Sequence, residues 1–335
     1  MNRRCTVAFA AVIVLLAISV YINLITGTVR ISPSEVFGIL RGADASDMGK
    51  NVVLAIRLPR TAAALILGGA LALSGYLLQT FFDNPIVGPF VLGISSGAKL
   101  TVAISLIFFM DRGIKAGSAF LVVSAFIGAM AAMGFVLALS VRVRSMAILV
   151  VCGIMTGYIC SAVTDLVVTF ADDANIANLH NWSMGSLSGM NLSDIAVMSV
   201  IVGACVIAVI MLIKPIGAYR LGEAYAGSVG VNITILRILL IVISSLLAAC
   251  VTAFAGPISF VGIAVPHLVR GMTKTSSPAV MIPGCFLTGA LVTSLCDCLA
   301  RNVFAPTEVS ISSVTAVLLV PVVIFVMIKR RKGSE

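Results

Sequence analysis

Long apolar runs recur along almost the whole chain, and their length constrains the fold more than any other feature. The runs lie at about 6–25, 61–80, 91–110, 117–140, 146–170, 195–213, 235–255, 258–272, 279–299 and 309–328. A helix needs roughly 20 apolar residues to cross a hydrocarbon core of about 30 Å. Ten such helices take about 200 residues of the 335 present. The pattern predicts an all-α polytopic membrane protein, with residues 1–335 as a single transmembrane domain.

Composition excludes the soluble alternatives. The chain is 60% hydrophobic and 10% charged, with a mean hydropathy of +1.16, whereas soluble domains are about 45–50% apolar and about 25% charged. A soluble enzyme, a disordered tail protein and a nucleic-acid-binding module are therefore excluded. The net charge of +9 comes from small basic groups between the apolar runs, a distribution typical of membrane proteins.

Those basic groups predict the orientation of the chain. With Arg3 and Arg4 in the cytoplasm, ten crossings place the following basic residues on the same side: Arg142, Arg144, Lys214, Arg220, Arg270, Lys274 and those at 329–332. Because cytoplasmic loops are enriched in Lys and Arg, we expect an even number of spans and both termini in the cytoplasm. The run at 6–25 is too long for a signal peptide and lacks a clear cleavage site, so it is interpreted as the first span.

Two polar segments on the opposite, outer side are typical of short interfacial helices. One covers 32–40, with Ser32 as the N-cap and Pro33 at the first helical position. The other covers 172–191 and holds the only tryptophan, Trp182. Taken alone, Trp182 is interpreted as an anchor in the aromatic belt at the membrane interface.

The chain lacks the sequence patterns of an enzyme. It has no G-x-x-x-x-G-K-[ST] loop for binding ATP, and His180 and His267 are too far apart to indicate a metal site or a catalytic triad. None of the cysteines forms a C-x-x-C pair, so we interpret them as small buried hydrophobic residues: Cys5, Cys152, Cys160, Cys205, Cys250, Cys285, Cys296 and Cys298. We expect no catalytic residue, no metal site and no directly bound cofactor.

Few ionisable residues lie within the apolar runs. Asp165 and Asp297 fall near the predicted outer ends of their runs, within reach of water, and Lys99 lies inside the third run. Lys99 suits a side chain that extends to an interface or lines a polar cavity. An ion- or proton-coupled carrier needs a titrating group near the midplane, so this alternative is disfavoured but stays open. A structural subunit of a redox complex is a second alternative.

One predicted cytoplasmic loop, at 214–236, suits a partner protein. It is too polar to span, yet Leu221, Tyr225 and Val229 at i, i+4 and i+8 predict one apolar face of a short helix. Such a helix fits a groove on a partner or lies flat on the membrane.

On the predicted outer side, Arg57, Arg60 and Arg301 stand where the positive-inside rule predicts few arginines. Arginine suits bidentate hydrogen bonds to the carboxylates of a partner. Simple anchoring at the membrane interface is the alternative.

A set of motifs then recurs in order along the whole chain. They are Arg57-Leu58-Pro59-Arg60, the small-residue block 69–75, Gln79, Asn84-Pro85, 92–98, Trp182-Ser183-Met184-Gly185, the block 256–270 with Gly256, Pro257, Gly262, Pro266 and His267, and finally Asp297, Arg301 and Ala305-Pro306-Thr307-Glu308. This set resembles the permease subunits of ABC importers for iron–siderophore complexes, haem and vitamin B12, the iron-chelate permease family.

The resemblance implies a type II ABC importer permease with about ten transmembrane helices, which forms a homo- or heterodimer around a translocation path. It implies two separate ATP-binding subunits that hydrolyse ATP, an extracytoplasmic substrate-binding protein and a location in the bacterial cytoplasmic (inner) membrane. The cargo would be an iron–siderophore or a related metal chelate, and the chain itself would be no enzyme.

The same resemblance implies roles for individual residues. Arg57, Arg60 and Arg301 match arginines that engage acidic residues of the binding protein. The 214–236 loop matches the coupling helix for the ATPase, through Leu221, Gly222, Glu223, Tyr225, Ser228 and Gly230. The matched Asn84, Pro85, Trp182, Gly185, Gly256, Pro257, Gly262, Pro266 and His267 are expected to be structural. Ala224, Gly227 and the segments 271–277 and 309–312 depart from the family pattern and indicate a divergent subgroup.

Overall fold

The computed structural model describes residues 3–27, 29, 31–42, 47–110, 118–143, 145–305 and 307–331, and every regular element within them is helical. The first helices are α1 (Arg3–Ile25), α2 (Pro33–Leu40), α3 (Asp47–Lys50), α4 (Leu58–Phe81), α5 (Ile94–Met110), α6 (Ser118–Arg142) and α7 (Met146–Val168). The later ones are α8 (Asp173–Ser183), α9 (Leu192–Met211), α10 (Ile213–Tyr219), α11 (Glu223–Ser228), α12 (Ile233–Ala255), α13 (Val261–Thr273), α14 (Pro278–Asn302) and α15 (Ile311–Arg331). Arg144, Pro306 and the basic residue at 332 lie outside the described residues.

The lengths of these helices confirm the all-α polytopic class. Seven helices of the described chain are long and apolar enough to cross a membrane. They are α1, α6, α7, α9, α12, α14 and the continuous helix Asp47–Phe81, which contains α4. Two shorter apolar stretches, Ile94–Phe108 and Ile311–Phe325, lie in α5 and α15. The predicted run at 258–272 forms α13, whose 13 residues extend only about 20 Å at 1.5 Å per residue. Helix length by itself therefore accounts for seven of the ten predicted spans.

Helix α4 forms the centre of the bundle, where it packs against α9, α12, α13 and α14. Gly75 of α4 lies against Gly262 of α13, and a Cβ at Gly75 would be 1.8 Å from the Gly262 carbonyl oxygen. Gly68 makes a similar approach to Gly289 of α14, at 2.6 Å. Small residues in apolar spans let helix backbones touch, and here they set the spacing of the core.

Helices α7, α9 and α15 lie at the periphery and expose large apolar side chains. Tyr158, Val200 and Val317 are examples, one from each helix. Exposed apolar surface on this scale indicates contact with lipid or another protein rather than water.

The chain between α12 and α13 is irregular over residues 256–260, before α13 begins. Phe260, the residue before α13, has a left-handed conformation at φ 65°. Pro266 lies inside α13, where it removes one backbone hydrogen bond. Irregular backbone at membrane depth is tolerated only where it is buried in protein or lines a water-filled cavity. Here it is buried in protein, since Ile258 within the segment and Val261 at the start of α13 are both buried.

Both segments predicted to be interfacial contain a helix. Ser32 is the N-cap of α2, and its hydroxyl accepts a hydrogen bond from the amide of Glu35 at 3.3 Å. The predicted segment 172–191 contains α8, which ends at Ser183, and Trp182 lies in its last turn.

Candidate functional site

The three predicted docking arginines meet at one end of the bundle, where α4 begins and α14 ends. We call Arg57, Arg60, Asp297, Arg301 and Glu308 the arginine cluster. Arg60 Nε lies 3.0 and 3.2 Å from the two carboxylate oxygens of Asp297, and its Nη2 is 2.9 Å from Oδ1. Its Nη1 donates to both oxygens of Glu308, at 2.9 and 3.1 Å. One guanidinium group therefore holds two carboxylates.

Arg57 is bound to main-chain carbonyls rather than to a carboxylate. Its Nη1 donates to the carbonyl oxygens of Leu24 and Ile25, at 2.8 and 2.9 Å, and its Nη2 donates to that of Val29. The last carbonyls of a helix have no partner within the helix, and a nearby cation stabilises them. Arg57 thus caps the end of α1.

Arg301 extends the cluster along α1 and α14. Its Nε lies 3.3 Å from Asp297 Oδ2, and its Nη2 donates to the side-chain oxygen of Asn23. The Asn23 amide donates in turn to the backbone oxygen and the hydroxyl of Ser294, at 3.1 and 3.0 Å. Ser294 also shares a 2.8 Å hydrogen bond with Ser19. A continuous polar network therefore joins α1, α4 and α14 through their apolar faces.

Engagement of a partner by these three arginines stays a prediction, because each of them already binds groups of its own chain. The side chains of Arg60 and Arg301 are 8% and 9% exposed, and Arg57 is buried. Their donors are directed at groups of the same chain, because a buried guanidinium needs acceptors within hydrogen-bond reach.

The three ionisable residues predicted within apolar runs differ in how far they are exposed. Asp297 was expected within reach of water, but it is 1% exposed because two arginines enclose it. Asp165 is exposed near the end of α7, as expected, and Lys99 is partly exposed in α5.

Sequence reasoning placed Asp297 and Glu308 in the motif set but missed their pairing with the arginines. The available signal was spacing: Asp297 and Arg301 are four residues apart, and Arg57 and Arg60 are three apart, so each pair shares one helix face. The role of Asn23 had no sequence signal, because a lone Asn in an apolar run does not identify its partner.

The 214–236 loop lies at the opposite end of α4 and folds into two short helices, α10 and α11. Leu221, Tyr225 and Val229 are 70%, 49% and 54% exposed, so the predicted apolar surface exists. The predicted helix is shorter than expected, because Gly222 and Gly230 flank α11 at φ 119° and 85°. Leu221 and Val229 therefore lie just outside the helix.

Polar contacts fix this loop to the core helices. The Tyr219 hydroxyl donates to Glu223 at 3.0 Å and lies 3.4 Å from the carbonyl oxygen of Phe81, at the end of α4. Glu223 also forms an ion pair with Arg237 of α12. Burial raises the pKa of Tyr219, so the hydroxyl remains protonated and able to donate. Within the loop, the Ser228 hydroxyl donates to the Tyr225 carbonyl at 2.8 Å.

A polar cavity of about 340 Å³ opens between this loop and the ends of α4, α7 and α13. Its walls are formed by Gln79, Thr80, Phe81, Asp83, Asn84, Pro85, Met146, Tyr219, Arg220, Gly222, Glu223, Arg270 and Ser276. Movement of the loop would therefore change the shape of a space that borders three helices.

The Asn84-Pro85 motif packs against α13 beside this cavity. His267 Nε2 donates to the carbonyl oxygen of Pro85 at 2.9 Å, and Asn84 accepts a hydrogen bond from the amide of Ile86 at 3.0 Å. Gln79 donates to the Ile263 carbonyl at 3.2 Å. His267 thus fixes a turn to a helix.

At the arginine end, two motifs distant in sequence form one contact. Gly185 and Gly256 both have φ 71°, a conformation that favours glycine. A Cβ at Gly256 would lie 2.6 Å from the Trp182 carbonyl oxygen, and one at Gly185 would lie 2.6 Å from that of Pro257. The Trp182 motif is therefore matched to the start of the 256–260 segment. In the described part of the chain, no group of three or more His, Cys, Asp or Glu residues is placed to hold a metal ion.

Comparison with known proteins shows the relationship that this geometry indicates. The model of the FecCD transport family matches residues 15–329. The chain belongs to the FecCD transport family.

Two bacterial relatives align along nearly their full length with this FecCD chain. The vitamin B12 import system permease protein BtuC of Citrobacter koseri is 32% identical over 335 residues, which cover 99% of this chain and 97% of the relative. BtuC of Klebsiella pneumoniae is 32% identical over 321 residues, covering 95% and 92%.

Solved structures agree with this assignment. A transporter in an inward-facing conformation, assigned to the metal-chelate type of ABC transporter, superposes with a TM-score of 0.85 and 28% identity over 97% of this chain and 99% of the other. PsaBC from Streptococcus pneumoniae, at 13% identity and a TM-score of 0.55 over 88% and 94% of the two chains, shares the fold alone. This FecCD chain is a multi-pass membrane protein and a permease subunit of an ABC importer of the FecCD/BtuC type.

Proposed function

We propose that the chain translocates a metal chelate into the cytoplasm, driven by ATP hydrolysed on separate subunits. The assembly comprises two permeases, two ATP-binding subunits and an extracytoplasmic binding protein in the bacterial cytoplasmic membrane. The chain acts as one transmembrane unit with both termini inside. Its ten spans are the seven long helices, α5, α15, and α13 together with the irregular segment 256–260 before it.

The exposed apolar surface of the 214–236 loop carries this proposal. Leu221, Tyr225 and Val229 are exposed, and such side chains on a polar loop suit a groove on the ATPase. The loop is also fixed to α4 and α12 through Tyr219 and the ion pair between Glu223 and Arg237. A displacement of the loop by the ATPase would therefore reach two core helices and alter access to the path.

The metal-chelate cargo is supported by the relatives. Those reported above are named vitamin B12 permeases, and the solved neighbour is of the metal-chelate type. Cobalamin and iron–siderophores are both large metal chelates, so a direct comparison of the two is part of the test.

The test is ATPase activity in proteoliposomes that contain this chain with co-expressed ATP-binding and binding-protein subunits. The binding protein is supplied empty, with cobalamin or with a ferric siderophore. We expect stimulation by one loaded form and its loss, by at least about tenfold, in a Leu221→Ser, Tyr225→Ser double variant. A tenfold loss corresponds to about 1.4 kcal/mol, which is modest for side chains central to an interface.

The matched control is Met211→Ser, because Met211 is an equally exposed apolar residue at the end of α9. An equal loss in the control would show that any exposed apolar residue at this end matters, and it would contradict the specific role of the loop. Uptake along an imposed ion gradient, with no bound ATPase, would favour the secondary-carrier alternative.

A further inference from the structure

A groove with two arginines at its mouth lies where α1 begins, at the same end of the bundle as the 214–236 loop. Its volume is about 650 Å³, within the range of about 300–1,000 Å³ that is typical of small-molecule sites. The groove is lined by Arg3, Arg4, Val7, Ala8 and Ala11 of α1 and by Met272 of α13. It therefore combines two cations with an otherwise apolar surface.

The apolar part of the groove continues between three helices. Ala8 and Met272 also border a narrower crevice between α1, α13 and α14, whose walls include Val12 and Leu287. From Arg4 to Val12, α1 rises about 12 Å at 1.5 Å per residue. One leaflet contributes about 15 Å to a hydrocarbon core of about 30 Å. An acyl chain that lies along α1 from Arg4 therefore has apolar contacts over most of a leaflet.

Both arginines are accessible to a ligand from outside the chain. Their side chains are exposed, and among the described residues no carboxylate forms an ion pair with either. The neighbouring Cys5 is buried, and its thiol donates to the Thr273 carbonyl at 3.7 Å, which fixes this part of α1 against the end of α13. Arginine binds phosphate groups through charge-assisted, bidentate hydrogen bonds. The mouth of the groove thus offers phosphate-binding cations beside an apolar floor.

We propose that this groove binds an anionic phospholipid, with the headgroup phosphate on Arg3 and Arg4 and one acyl chain along α1 towards Val12. The inference goes beyond the proposed function, since it requires neither a cargo nor an ATPase. Charge complementarity favours this occupant, because basic pockets between membrane helices bind anionic headgroups. A zwitterionic lipid would bring a cation close to the two arginines, and a soluble phosphate would leave the apolar floor uncovered. The bound lipid contacts α13 through Met272 and stabilises the packing of α1.

The test is lipid binding to the purified full chain in detergent, measured by native mass spectrometry with phosphatidylglycerol and with phosphatidylcholine of identical acyl chains. The wild type should bind the first phosphatidylglycerol molecule at least about tenfold more tightly than the first phosphatidylcholine molecule. An Arg3→Gln, Arg4→Gln double variant should lose this preference. The matched control, Arg330→Gln with Arg331→Gln, removes an adjacent arginine pair from the end of α15 and should keep it.

Two tryptophan variants test the apolar half of the site. Ala11→Trp fills the groove while both arginines remain, and it should weaken phosphatidylglycerol binding by about tenfold. Ala10→Trp is the control, because Ala10 is an exposed neighbour on α1 that does not line the groove. It should leave the affinity near that of the wild type.

Equal affinity of the wild type for the two lipids would refute the site, and an equal loss in both arginine double variants would reduce the effect to overall charge. Unchanged binding in Ala11→Trp would contradict the proposal, because the headgroup would then be held without the groove. Displacement of the lipid by glycerol phosphate would contradict it as well, since the acyl chain would then contribute nothing. None of these results bears on transport, which the ATPase measurement tests separately.

Discussion

The two regions at opposite ends of α4 differ in how far their functional side chains are buried and paired within the chain. Both the arginine cluster and the 214–236 loop were predicted to contact other proteins. At the first, each arginine donates to acceptors within the chain, and the arginine side chains are at most 9% exposed. At the second, three apolar side chains remain exposed while only the polar residues behind them are paired.

The difference follows from the chemistry of the two sets. Burying a charged group near a membrane without a partner costs free energy. Such a group therefore pairs with oppositely charged or polar groups of its own chain wherever the helix packing brings them close. An apolar side chain at the surface carries no such penalty. It can stay exposed until another molecule covers it. On a polar loop such as 214–236, exposed apolar residues are therefore the better indicator of a protein partner.

The largest effect on stability is expected for Asp297→Asn at the arginine end. The substitution keeps the shape of the side chain but leaves Arg60 and Arg301 without their shared buried charge, a loss of roughly 3–5 kcal/mol. We expect the melting temperature of the detergent-solubilised chain to fall by about 5–10 °C. Asp165→Asn, at an exposed position, is the control and should change it by less than about 2 °C. Similar shifts in the two variants would mean that the cluster does not stabilise the fold.

The sequence predicted the fold class, the short helices α2 and α8 and the exposed surface at Leu221 and Tyr225. These features depend on apolar periodicity and helix caps, and both are determined by residues close to one another in sequence. It did not predict the partners of Arg57 and Arg60 within the chain, which lie 28 to 248 residues away in sequence. Whether a surface arginine is buried depends on which helices pack beside it, and no local pattern records that. The shortened α11 reflects two glycines whose positive φ values interrupt the predicted apolar periodicity.

An intermediate effect is expected for Gly185→Ala at the arginine end. Alanine at φ 71° is strained by roughly 1–2 kcal/mol, and its Cβ would lie 2.6 Å from the Pro257 carbonyl oxygen, which adds about 1–3 kcal/mol. Thermal unfolding should therefore shift down by several degrees. Gly227→Ala in α11 meets no atom within 4 Å and should be neutral or slightly stabilising, since alanine favours helix. Comparable losses at both positions would show that the loop is as tightly packed as the opposite end.

A small effect on stability together with a measurable effect on function is expected for Glu223→Gln. The side chains of Glu223 and Arg237 are 46% and 29% exposed, and an ion pair of that exposure contributes about 0–1 kcal/mol. The melting temperature should hardly change. The ATPase rate stimulated by loaded binding protein should nevertheless fall, by up to about fivefold, because the loop loses its contact with α12.

A double-mutant cycle with Arg237→Met separates this contact from other effects. If the pair transmits movement, the double variant should be no worse than either single variant, whereas additive losses would show that the two residues act independently. A fall in melting temperature as large as that of Asp297→Asn would instead make the two ends of α4 alike.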